Sequence, residues 1–151
     1  MSIALLFHLL AVVVWVGGMF FAHMALRPAV AATLEPPQRV ALMVATLARF
    51  LPWVGASIVV LLVTGFGLIA ARGGFGAAGA HVHAMTGIGL AMVAIYVELV
   101  LRPFRRLRAA VAATAWPDAG AALASIRRRI GVNLVLGLVT IAIAVVGRGG
   151  V

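Results

Sequence analysis

Five side chains with chemistry to offer stand in stretches that are otherwise apolar: His8, His23, His81, His83 and Glu98. Ionisable groups in such places are costly and usually face a bundle interior for a functional reason. His8 and His83 lie 75 residues apart in the chain, and so do His23 and Glu98. On two helices entering a membrane from the same side, His8 and His83 reach equal depth, about 8 Å in at 1.5 Å per residue. Two facing imidazoles at one level are what a bis-histidine b-type haem requires, each giving one axial nitrogen to the iron. Gly87, one turn beyond His83, would admit a flat macrocycle, and Trp15, with Phe7 and Phe20, adds aromatic surface. The expected cofactor is haem b, held by His8 and His83 with Trp15 and Gly87 against the ring.

Fifteen residues further along each helix stand His23 and Glu98. That step is a rise of about 22 Å and a rotation of only about 60°, so the two are expected to meet at a second, inner site. A hydrogen-bonded His–Glu pair would relieve the cost of burying both. It has the chemistry to move a proton or to hold a metal or a quinone headgroup. His81-Val82-His83 offers a competing chemistry. On extended backbone alternate side chains share a face and bind copper, whereas on a helix they diverge by about 200°. Met85, Met19 and Met24 would add soft thioethers for Cu(I). Copper at His81 and His83 is therefore the alternative to haem. The chain has no cysteine, which excludes disulfides and thiolate chemistry. It shows no nucleophile–base–acid set, phosphate loop or carboxylate pair, so catalysis is not argued from its residues.

The elements that must position these groups follow from composition. Charged residues make up 10% of the chain and the mean hydropathy is +1.21, where a soluble domain would be about a quarter charged. Four apolar runs, roughly 3–26, 50–71, 78–101 and 130–147, approach or exceed the ~20 residues that cross a bilayer. The fold class is all-α: an integral membrane four-helix bundle, one domain over 1–151. The first run starts MSIALLFH, without the basic segment of a signal peptide, and reads as a membrane helix.

The net charge of +9 does not point to nucleic acid, because all twelve basic residues are arginines set between the apolar runs. Their natural partner is the anionic surface of a lipid bilayer. Ten fall in the segments after the first and third runs, and only Arg72 and Arg148 fall on the other side. The positive-inside rule then places both termini in the periplasm of a bacterial inner membrane. Arg27 and Arg102, at the inner ends of runs one and three, are candidate contacts for an anionic headgroup.

HMALRP (23–28) and ELVLRP (98–103) write nearly one helix ending twice. An offset of 76 matches Gly55 with Gly131, Ser57 with Asn133, Leu62-Val63-Thr64 with Leu138-Val139-Thr140, and Arg72-Gly73-Gly74 with Arg148-Gly149-Gly150. The chain reads as a tandem 2+2 helix repeat, 1–75 and 76–151, about a pseudo-twofold axis along the membrane normal. Helices 1 and 3 would then face each other, and Pro28 and Pro103 would mark departures from regular helix. RPFRRLR and IRRR read as solvated basic surface. Trp116-Pro117-Asp118 reads as a turn and a helix start. Gly17-Gly18, Gly65-x-Gly67 and Gly87-x-Gly89 invite close approach, but none is a G-x-x-x-G pair, so a homodimer is admitted without a motif for it.

HLLAVVVWVGGMFF (8–21), with its His, Trp, Gly-Gly and aromatics, resembles the first helix of small membrane proteins of the copper-resistance CopD type and the HemJ type. HVHAM (81–85) and LRPFRRLR (101–108) resemble the third helix of the CopD type. The resemblance implies a four-helix membrane protein carrying b-type haem, with the first-helix histidine at His8 and the third-helix histidine at His83, His81 being the second choice. It implies either electron transfer with quinone, as in the protoporphyrinogen-oxidising HemJ branch, or copper uptake and tolerance, as in the CopD branch. The HemJ pattern has a lysine after the third-helix histidine; this chain has no lysine at all, which favours the CopD branch.

Overall fold

In the computed structural model, which describes residues 2–148, every long element is a helix. Gly149 and Gly150, matched above to Gly73 and Gly74, lie outside the described residues. The four helices are α1 (Ile3–Thr33), α2 (Pro36–Ala70), α3 (Ala80–Ala112) and α4 (Trp116–Gly147), each long and apolar enough to cross a membrane. The protein is a multi-pass helical membrane bundle. Its exposed surface carries large apolar side chains, Ile3, Val13, Val63 and Val146 among them. A bilayer without hydrogen-bonding partners permits this only because helices satisfy their own backbone.

The helices outrun their apolar stretches. The 35 residues of α2 span about 50 Å, against ~30 Å of hydrocarbon. The surplus lies at the arginine-rich end in all four helices, where arginine stems reach past the apolar slab. There α2 begins at Pro36, with the Glu35 side chain and that of Gln38 closing a reciprocal capping box. Thr114, at φ 54°, turns α3 into α4. At the arginine-poor end Gly73 and Gly74, at φ 97° and 80°, make the turn after α2, a conformation natural to glycine.

The prolines do not end their helices. α1 continues through Pro28 to Thr33, preceded by a π-helical turn at Ala22–Leu26. α3 continues through Pro103, which sits inside a π turn at Val100–Phe104. A proline ring collides with the carbonyl four residues back, and a widened turn relieves the collision. A further π turn, Val13–Gly17 in α1, has no proline to explain it and no counterpart in α3.

Helix α1 packs along α2 and α3 along α4, while α4 also reaches α1 and α2. The sequence expectation that α1 and α3 face each other differs from this arrangement, in which they share no extended contact. Two cores result. One lies within the apolar slab, built from Trp15, Val16, Met19, Val54, Ile58, Met92 and Leu134. The other lies in the arginine-rich collar, where Leu47, Leu99, Phe104, Leu107, Ala119 and Ile126 join α2, α3 and α4 without any residue of α1. Leu107 is 0% exposed. Leu107→Ala is expected to cost about 3 kcal/mol and to lower the melting temperature in detergent, whereas Val63→Ala on the outer face should leave it nearly unchanged. Equal melting of the two variants would show that the collar has no core of its own.

Candidate functional site

The arginine-poor end holds three of the four histidines. His8 of α1 lies against α2, its Nδ1 2.9 Å from the Thr64 hydroxyl. Thr64 gives its own proton to the Val60 carbonyl at 2.6 Å, so the hydroxyl oxygen accepts from His8 Nδ1–H. The neutral ring then carries its free lone pair on Nε2. Gly65 makes room for this contact: a Cβ there would stand 3.3 Å from His8 Cε1.

His81 and His83 lie in the first turn of α3, which begins at Ala80, so they diverge as helical neighbours do. His81 packs on α4, where a Cβ on Gly147 would come within 2.4 Å of its own Cβ. His83 points instead to the connecting turn, its ring 5.5 Å from that of Phe75. The H-x-H geometry that would let both grip one ion is absent for this physical reason. Met85, one turn after His81, shares its face and is half-buried.

The residues expected around a haem are dispersed. His8 is held by Thr64 and His83 lies beside Phe75, on helices that share no extended contact. Trp15 is 4% exposed and fills the slab core rather than lining a space. A Cβ on Gly87 would meet nothing within 4 Å. His8 keeps a free nitrogen for ligation, but the paired donor set is not assembled. Among the described residues no three His, Cys, Asp or Glu side chains gather to hold a metal ion.

At the arginine-rich end the expected His23–Glu98 pair is not formed. Glu98 is gripped by Arg129 of α4, which donates from Nε to Oε2 and from Nη2 to Oε1 at 2.8 Å. The same guanidinium donates to the Ser125 hydroxyl and carbonyl. This two-pronged arrangement is the strong form of a carboxylate–arginine contact. Arg129 thus leaves the solvated surface expected for IRRR and crosses to α3. The signal was present in the sequence, since Glu98 is the sole carboxylate within an apolar run and must find a cation. Tyr96, nearby in sequence, turns away and donates to the Leu51 carbonyl at 2.9 Å.

His23 rests on α4, where a Cβ on Gly131 would lie 3.3 Å from its Cε1. It lines two cavities, of about 610 and 440 Å³, together with Arg27 and Arg127. His8, His83, Trp15 and Gly87 line neither. Arg102 stands exposed in the π turn of α3. In the slab core, Asn133 donates to the Met92 carbonyl at 3.1 Å while its buried Oδ1 has no partner.

A family model described as CopD, copper resistance protein D, matches residues 44–147. The match takes in His81, His83, Met85, Glu98 and Arg129, and leaves His8, Trp15 and His23 outside it. No curated protein and no solved structure matches the chain.

The Glu98–Arg129 contact predicts a coupled response. Glu98→Gln and Arg129→Gln should each lower the melting temperature by stranding a charge, and the double variant should recover part of the loss. Strict additivity in a thermal-melting cycle would remove the pair from the account.

Proposed function

The chain belongs to the CopD, or copper resistance protein D, family, and on that premise we propose that it handles copper as cargo at a bacterial inner membrane. The observation that carries this reading is the His81–Met85 face at the arginine-poor mouth, inside the matched segment. An imidazole and a soft thioether one turn apart on a helix offer a pair of donors suited to copper, Cu(I) in particular. Gly147 and Gly79 give the His81 side chain its place, the first against its root and the second against the Nδ1–Cε1 edge of the ring, so the ring's Nε2 is the nitrogen offered to an ion. His8 stands at the same end of the bundle with Nε2 unengaged, so it offers a further nitrogen.

The arginine distribution supports an orientation in which this mouth, and both termini, face the periplasm. Copper would then be met on the outer side, and the arginine-rich collar would face the cytoplasm. Haem b, quinone and electron transfer rest on the sequence argument and the resemblance. The dispersal of His8 and His83 does not favour them.

Titration of the detergent-purified protein with Cu(I) against a chromophoric chelator tests the reading. His81→Ala and Met85→Leu should each weaken binding by roughly tenfold or more, while His83→Ala should leave it nearly unchanged. An absorption spectrum of the same sample after haem-replete expression should show no Soret band. A sharp low-spin band lost in both His8→Ala and His83→Ala, with Cu(I) binding indifferent to His81, would replace copper with haem.

A further inference from the structure

The two cavities at the arginine-rich end form one cleft between the inner half of α1 and the facing parts of α2 and α4. Its origin is in the packing. Helix α1 contributes Trp15, Val16 and Met19 to the slab core but nothing to the collar core; beyond Met19 it touches its neighbours at His23, on Gly131, and at the buried Val30, and the cleft opens around these contacts. The opening has a charged rim and an apolar wall. Arg27, Arg49, Arg127 and Arg128 line it, with His23. Toward the slab it is walled by Phe21, Phe50 and Trp53, and Met43 lies at its outer part.

No carboxylate lines either cavity. The chain has only three, Glu35, Glu98 and Asp118, and the ion pair between Glu98 and Arg129 is the one found among the described residues. Four arginines therefore line the two adjoining cavities, Arg27 and Arg127 shared between them, without a carboxylate beside them. Such a cluster attracts an anion, and the planar fork of arginine matches phosphate oxygens two at a time. The apolar wall carries the choice further. A free anion would leave Phe21, Phe50 and Trp53 without an apolar partner of its own, and a zwitterionic lipid would bring a cation in among the guanidinium groups along with its phosphate. Trp53, 67% exposed, takes the interfacial place usual for its ring.

We propose that this cleft seats one anionic phospholipid, its phosphate on Arg27, Arg127 and Arg128 and an acyl chain along Phe21, Phe50 and Trp53. The lipid replaces the collar contacts that α1 lacks, and ties α1 to α2 and α4. It is independent of the copper reading, which concerns the opposite end of the bundle.

Thermal melting and native mass spectrometry of delipidated protein in neutral detergent test this. Phosphatidylglycerol is expected to raise the melting temperature by roughly 5 °C at saturation and to remain bound one to one. Phosphatidylcholine and inorganic phosphate should do neither. The Arg27→Gln/Arg127→Gln double variant should lose the rise and retain about tenfold less lipid. Arg27→Lys, which keeps the charge without the fork, should lose part of the rise. The Arg105→Gln/Arg108→Gln variant removes the same charge from the same end outside the cleft, and should behave as the parent. Equal effects of phosphatidylcholine, a full rise with phosphate alone, or equal losses in both double variants would each overturn the proposal.

Discussion

Hydrocarbon offers no hydrogen bonds, so each polar group that enters it must bring or find its own partner. That requirement arranges this bundle. His8 finds the Thr64 hydroxyl, Glu98 finds Arg129, and Tyr96 finds the carbonyl of Leu51. Ser57, Thr86 and Thr140 return to carbonyls one turn back in their own helices. Each partnership between helices fixes a separation, and glycines set the shortest ones. Gly65 receives His8, Gly131 receives His23 and Gly147 receives His81. Glycine serves apolar crossings in the same way, Gly18 against Phe50 and Gly137 against Val16.

Much of the fold was legible because it rests on length and apolarity. Four crossing helices, their arginine asymmetry and the helical start near Trp116-Pro117-Asp118 follow from the order of residues alone. The inner ends were not, since an apolar run measures the hydrocarbon and not the helix. The site was legible at the level of which residues matter and less so at the level of which ones meet. The reason is helical phase. Counting 15 residues from His8 to His23 assumes 3.6 per turn throughout. Helix α1 passes the π turn Val13–Gly17 on the way, and an inserted residue shifts all that follows by about 100°. Between His83 and Glu98, α3 stays regular. The same count therefore ends on different faces, and His23 goes to Gly131 while Glu98 goes to Arg129. Nothing in VVWVG announces that turn.

The matched positions of the two halves are put to different uses. Thr64 and Thr140 occupy corresponding places, yet Thr64 holds a histidine and Thr140 bonds only to Leu136. Ser57 and Asn133 correspond, and both are buried, but only Asn133 reaches another helix. Whatever the history of the halves, the polar chemistry is uneven between the ends: three of the four histidines stand at one, and ten of the twelve arginines, with His23, at the other.

The tight turn after α2 bears on how such a chain enters a membrane. Between Ala70 and Ala80 lies a short connection with one arginine, and Gly73 and Gly74 let it reverse direction in little space. Inserted from the arginine-rich side as a closed hairpin, α2 and α3 carry only that turn through the hydrocarbon. Each arginine dragged across costs about 3 kcal/mol or more. The opposite direction would draw seven of them through with the α3–α4 segment. Two left-handed glycines and an uneven count of arginines thereby act as a ratchet on biogenesis, set before any of the packing described above exists.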